Sequence, residues 1–217
     1  KIKELNGEIF LSKKVTDIIK GNNNHKVITT SSEYDSDIII NCGGLYSDKI
    51  TELTNKIDYK IIPFRGEYYR LKKDKEYLVK NLIYPVPNPD FPFLGVHFTR
   101  MINGGIEAGP NAVLALRREG YKKTDFLWSE FAESIMYPGF RKLVKKYYKE
   151  GLEEIFRSYS KSLFVKSMQI LIPDIKTEDV YAEGSGVRAQ ACDINGNLID
   201  DFKIIKNENI IIRYFII

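Results

Sequence analysis

The spacing of apolar residues changes twice along this chain, and that change restricts it to a mixture of sheet and helix. Up to about Gly109 the apolar residues occur in short extended runs divided by glycine, asparagine and proline. Between Asn111 and Leu171 they recur at helical spacing, with Val113 and Leu116, then Phe131 and Ile135, Leu143 and Tyr147, Phe164, Met168 and Leu171. After Pro173 the extended pattern returns. A length of 217 residues suits one domain or two small ones with a real core.

The extended runs differ in kind. "GEIFLSKKVTDII" reads as one or two strands, "KGNNNHK" as a hairpin tip with a solvated His25, and "KVITTSS" as the return strand. Ile38, Ile39 and Ile40 are consecutive, which predicts a strand covered on both faces. Gly43 and Gly44 break that strand. A helix capped by Ser47 follows, with Ile50, Leu53, Thr54 and Ile57 on one side. "YKIIPFRGEYYRLKK" reads as two strand segments around Gly66. Pro85, Pro87, Pro89 and Pro92 mark edge strands and rigid loops. "FLGVHFTRMINGGIEAG" reads as a hairpin turning at Asn103-Gly104-Gly105. Pro138-Gly139 and Gly151 punctuate the helical stretch. "VYAEGSGVRAQACDINGNLIDDFKII" then predicts strands with a tight turn at Asn195-Gly196, and the final residues read as one more strand.

The charge balance excludes little by itself. A net charge of +4 is too small to argue for nucleic acid, and suits an anionic small molecule or an anionic membrane surface equally. Two distant cysteines, Cys42 and Cys192, form no disulfide framework, so a reducing, cytoplasmic setting is the default expectation. No apolar run reaches transmembrane length, and no signal peptide is visible at Lys1. Two histidines and two separated cysteines do not compose a transition-metal site. No G-x-G-x-x-G, Walker loop, C-x-x-C or H-E-x-x-H is present.

What remains is a set of polar residues in apolar surroundings. Arg65, Arg100 and Arg188 each lie in or beside an apolar strand, where a guanidinium needs an acidic partner or an anionic ligand. His97 is the side chain suited to proton transfer near neutrality, or else a core histidine bonded to backbone. The Asn41–Gly44 turn ends a strand, where it serves either ligand approach or close packing. "RKLVKKYYKEGLEEIFR" is a basic helical stretch, read as a solvated face or a membrane-surface contact.

Taken together, "NCGGLYSDKI", "IIPFRGEYYRLKK", "LIYPVPNPDFPFLGVHFTRMINGGIEAGPNAVLALRREGY", "YPGF" and "GSGVRAQACDINGNLIDDF" resemble the L-2-hydroxyglutarate oxidase/dehydrogenase family of FAD-dependent enzymes. The resemblance runs from about Asn6 to about Asn209. It implies an α/β architecture: part of a FAD-binding, Rossmann-like domain over residues 1–60, a mixed-sheet substrate domain with helices over 61–180, and a return to the FAD domain over 181–217. It further implies oxidation of a small dicarboxylate, L-2-hydroxyglutarate, with FAD as cofactor and oxygen or a membrane quinone as final acceptor. His97 is then the expected base. Arg188 would hold the substrate carboxylate, Arg65 and Arg100 are candidates for the second carboxylate, and either Tyr68 or Tyr69 points at the site, with Tyr68 taken as the candidate. Val15, Asn41, Cys42, Gly43 and Gly44 would approach the cofactor. Localisation would be cytoplasmic or peripheral to the inner membrane. The alternatives are a glycine- or sarcosine-type flavin amine oxidase, or a non-catalytic gene remnant.

The family's opening glycine fingerprint, which seats the FAD pyrophosphate on a helix N-terminus, has no counterpart in these residues. The chain is therefore expected to correspond to the middle and latter part of such an enzyme, and to bind FAD poorly alone. Purified chain should show no stoichiometric flavin absorbance; one bound FAD per chain would overturn that expectation.

Overall fold

The structure is a computed structural model that describes residues 1–22, 24–86, 95–201, 203–207 and 210–213, with backbone alone for 206–207 and 210–213. Its elements in chain order are β1 (Val15–Ile19), β2 (His25–Thr29), β3 (Glu33–Ser36), β4 (Ile39–Asn41), α1 (Ser47–Glu52), β5 (Tyr59–Leu71), β6 (His97–Arg100), β7 (Ile106–Gly109), β8 (Val113–Leu114), α2 (Trp128–Met136), α3 (Pro138–Lys146), α4 (Tyr148–Tyr159), α5 (Lys161–Gln169), β9 (Val180–Asp193), β10 (Leu198–Ile199), β11 (Ile204–Asn207) and β12 (Ile210–Arg213). The chain divides into two compact units, one of Lys1–Asp58 with the described residues from Asp201, the other of Tyr59–Asp200.

In the larger unit, β5 and β9 pair antiparallel along their whole length, from Tyr59 opposite Asp193 to Leu71 opposite Val180. The sheet runs β10-β9-β5-β7-β6, with β8 also on β5, and all its described pairings are antiparallel. Tyr68 pairs with Gly184 and Tyr69 with Ala182, so Glu183 is an extra residue on β9, a bulge. Gly184 takes φ +134°, a conformation that costs glycine little.

Side chains alternate across a strand, so the register assigns every residue to a face. Tyr69, Leu71, Phe98, Ala108 and Val180 share one face and are covered by Phe164, Val165 and Met168 of α5. Tyr69 meets the Phe164 ring at 4.7 Å between centroids. Near the other end of β5, Ile62 and Phe64 pack with Cys192 against Phe140 and Leu143 of α3. Burial pushes the Cys192 thiol up to about 12, so it stays an inert core group.

The smaller unit holds an antiparallel sheet β1-β2-β3 and a second sheet in which β12 lies between β11 and β4. The β12–β4 pairing is parallel, the only parallel pairing among the described residues.

Several expectations are corrected. The return to the first unit falls at Asp201, not 181, because β9 belongs to β5 for its entire length. "PFRGEYY" is one continuous strand rather than two; Gly66 is needed because a Cβ there would run into Pro110. Ile38 and Ile40 are 56% and 57% exposed, so the triple isoleucine is not covered on both faces. His25 is 1% exposed at the head of β2, not solvated, and neither ring nitrogen has a hydrogen-bond partner among the described residues. Ser47 opens α1 rather than capping it, its hydroxyl donating to the Gly44 carbonyl, and α1 ends at Glu52. Of "GEIFLSKKVTDII" only Val15–Ile19 is strand. Val113 begins β8 rather than a helix, and Gly151 lies inside α4 rather than between helices. Pro87, Pro89 and Pro92 lie outside the described residues.

Phe164 is fully buried at the centre of this packing. Phe164→Ala should destabilise the larger unit by about 3–5 kcal/mol, while Ile170→Ala, at an exposed site, should change stability by under about 0.5 kcal/mol. Urea unfolding of the two variants checks the contrast.

Candidate active site

The sheet face opposite Tyr69 and Phe98 gathers three of the residues singled out by sequence. His97 pairs with Gly109 across β6–β7, and the β7–β5 register carries that row on to Tyr68. Paired residues share a face, so His97 and Tyr68 lie on the side opposite Phe98, Ala108 and Tyr69. Arg188 pairs with Phe64, four residues before Tyr68 on β5 and therefore on the same face as Tyr68. Glycines make room for the phenol: a Cβ at Gly109 would lie 2.8 Å from Tyr68 Cδ1, and one at Gly186 would be 4.0 Å from Cε2.

The histidine is held in a defined state. Its Nδ1 is 3.1 Å from the Gly95 carbonyl oxygen, and its ring stacks on Tyr84 at 4.5 Å and 24°. A carbonyl only accepts, so Nδ1 carries the proton and Nε2 presents a lone pair. Burial lowers the His97 pKa below its ordinary 6.5; the Gly95 bond works against this and the Arg188 charge adds to it. His97 is therefore neutral at physiological pH. Because the folded pKa is depressed, its contribution to stability is fully present above 6.5 and is lost as pH falls through the folded value.

Among the described residues Arg188 makes no ion pair and no hydrogen bond. Its charge is nevertheless felt by His97, by Tyr68 and by Asp200, which places all four groups in one electrostatic neighbourhood. Burial raises the Tyr68 phenol, with Arg188 opposing, so Tyr68 remains a hydrogen-bond donor. Burial likewise raises the Asp200 carboxyl, again against Arg188. Tyr84 and Asp200 carried no usable signal in the sequence: one lies in a proline-rich run, the other at the end of a short polar stretch.

Arg65 and Arg100 lie elsewhere. Arg65 occupies an odd position of β5, on the face opposite Tyr68, and is 5% exposed. It donates to Glu67 Oε1 at 3.3 Å and to the Lys122 carbonyl at 3.2 Å. Glu67 also accepts from Asn111 and Ser158, so this is a shared internal network. Arg100, three residues from His97 and so on the opposite face, donates to the Val79 carbonyl at 2.8 Å. Neither guanidinium joins Arg188.

The cofactor candidates belong to the smaller unit. Asn41 is buried and fully engaged: Nδ2 donates to the Ser47 carbonyl and Thr51 Oγ1, and Oδ1 accepts from the Gly43 amide. Its side-chain amide shapes the turn. Gly43 is a packing glycine, since a Cβ would lie 2.6 Å from Ile50 Cδ1. Gly44 is different. It has φ +52° and nothing within 4 Å of a built Cβ, so its backbone faces open space that any side chain would fill. Cys42 is exposed and Val15 begins β1, half-buried. A bare, positive-φ glycine at the end of a parallel strand fits the close backbone approach that a dinucleotide requires.

Comparison with known proteins decides the family. Residues 1–200 match the model of the FAD-dependent oxidoreductases termed DAO. The chain belongs to that family. It is 54% identical over 213 residues to the L-2-hydroxyglutarate dehydrogenase of Indibacter alkaliphilus, covering 97% of this chain and 53% of that protein. It is 49% identical over 165 residues to the mitochondrial L-2-hydroxyglutarate dehydrogenase of Mus musculus, covering 76% of this chain and 36% of that protein. The chain thus spans about half the length, or less, of the curated relatives it matches. In fold it is similar to the L-α-glycerophosphate oxidase of Mycoplasma pneumoniae, with a TM-score of 0.66 at 16% identity, covering 98% of this chain and 47% of that one. It is similar also to glycine oxidase of Bacillus cereus, with a TM-score of 0.56 at 14% identity, covering 96% and 45%. The α/β architecture expected from sequence is that of FAD-dependent DAO enzymes. No helix among the described residues is long and apolar enough to cross a membrane.

In an NMR titration of the chain, the His97 ring should titrate below 6.5. Arg188→Met should move it part of the way back up, because burial, the larger cause, persists.

Proposed function

We propose that this chain carries the substrate-handling half of a FAD-dependent enzyme that oxidises L-2-hydroxyglutarate to 2-oxoglutarate. The observation that carries the reading is Arg188, whose guanidinium has no partner among the described residues, sharing a sheet face with a neutral His97 and the Tyr68 phenol. A guanidinium without an acidic partner is a seat for a carboxylate, which it meets with two parallel hydrogen bonds. Tyr68 donates a further hydrogen bond to the same anion. His97, held through Nδ1, takes the proton of the substrate hydroxyl on Nε2 as the C2–H bond breaks. FAD, when bound, supplies the two-electron acceptor for the hydride leaving C2. Gly44, with Cys42 and Val15 of the same unit, is the part of this chain that would lie against the cofactor. Oxygen or a membrane quinone would take the electrons onward, and contact with a membrane surface would accompany the quinone route.

One observation favours a second substrate class. With Arg65 and Arg100 committed elsewhere, a single arginine remains at the site among the described residues, as a one-carboxylate amino acid would need. The identities of 54% and 49% to L-2-hydroxyglutarate dehydrogenases weigh against that reading, whereas glycine oxidase shares only the fold at 14%.

The test is a chimera in which this chain replaces the matched segment of the Indibacter alkaliphilus relative. It should reduce an artificial dye with L-2-hydroxyglutarate, and not with the D enantiomer or glycine. His97→Asn should lower kcat about a hundredfold or more, and Arg188→Met should act chiefly by raising KM. Turnover of glycine alone would transfer the assignment to the amine oxidases. An unchanged rate in His97→Asn would remove the base.

A further inference from the structure

The helices of the larger unit frame a concavity whose wall includes Phe64, the β5 residue paired with Arg188. It is a cavity of about 470 Å³ between β8, α2, α3 and α4. Phe64, Phe131 and Phe140 line it, and Tyr147, Tyr148 and Gly151 belong to the same wall. The one acid in the lining, Glu154, is already engaged: it accepts from the Ala112 amide at 2.9 Å and pairs with Arg157. A pocket of this size with an almost wholly apolar wall takes an apolar ligand.

The orientation of α4 points the same way. Its buried residues are the polar Glu154 and Ser158, whereas Leu152, Ile155, Phe156 and Tyr159 are exposed. A helix packed only to serve its own core has the reverse polarity. Positive charge then accompanies the apolar surface. Lys146 Nζ lies 4.8 Å from the Tyr147 ring centre, and Lys149 Nζ lies 6.0 Å from that of Tyr148. Both rings line the cavity. Helix α3 adds Arg141, Lys142 and Lys145 and has no acidic residue. An apolar cavity with ammonium groups over its aromatic wall is complementary to a ligand with a hydrocarbon body and an anionic head.

We propose that this cavity binds an anionic amphiphile, with one hydrocarbon chain lying among Phe64, Phe131 and Phe140 and the head group beside Lys146 and Lys149. This site is separate from the reaction proposed above and does not depend on it. Gly151 gives a clean means of closing it. A Cβ at Gly151 meets nothing within 4 Å, and replacing a helix-interior glycine favours the helix, so Gly151→Leu should fill space without unfolding the protein.

Calorimetric titration of the 217-residue chain with monomeric dodecanoate should show saturable binding of one molecule per chain. Dodecyltrimethylammonium should bind about tenfold more weakly or worse. Gly151→Leu should weaken dodecanoate by a similar factor, and Lys146→Glu with Lys149→Glu should erase the preference for the anion. Co-sedimentation with phosphatidylcholine vesicles, with and without phosphatidylglycerol, separates the sources. Gly151-dependent capture by the anionic vesicles assigns a membrane lipid, and binding of dodecanoate alone assigns a free fatty acid. Absence of binding in every arm, binding that survives Gly151→Leu, or equal affinity for the cationic chain would overturn the proposal.

Discussion

The pairing of β5 with β9 is the constraint on which the larger unit depends. More than a hundred residues separate Phe64 from Arg188, yet the register sets them opposite each other and fixes the face on which every side chain of both strands stands. Once it is set, Tyr69 and Leu71 go to the α5 side, and Tyr68 and Arg188 stay together on the other face. A shift of one residue would exchange these sets, burying polar groups and exposing core. The hydrophobic covering by Phe164 and Met168 therefore stabilises the arrangement of the polar face as well as the core.

The three strand arginines show how burial separates structural from ligand-binding cations. A buried guanidinium must find acceptors, and Arg65 finds Glu67 and the Lys122 carbonyl. Arg100 is exposed, and its guanidinium also has a fixed acceptor in the Val79 carbonyl. Arg188 is half-buried and has no acceptor among the described residues, so its desolvation cost stands until an anion arrives. The same cation keeps His97 neutral, alongside burial, so anion binding and proton acceptance are electrostatically coupled.

Much of this was legible in the residues, because turns and strands are local. The glycine turn at Asn103–Gly105 joins β6 and β7, and Asn195-Gly196 joins β9 and β10, as their composition required. Even the exclusion of Arg100 was present in the spacing, since residues three apart on a strand face opposite ways. What could not be read was long-range. Nothing local reveals that Arg188 stands four β5 positions from Tyr68, that Tyr84 stacks on His97, or that β9 stays with β5 until Asp193. Burial was equally non-local. His25 sits in a polar segment yet is enclosed, and the Ile38–Ile40 run is apolar yet open, because solvent access depends on neighbours distant in sequence.

The bulge at Glu183 lies beside two identical neighbours. Tyr68 and Tyr69 flank the point at which β9 gains its extra residue, one ring serving the ligand face and the other the interior. Because the extra residue belongs to β9, the alternation of β5 runs through the irregularity unbroken, and a phenol is delivered to each side of the sheet at the same level.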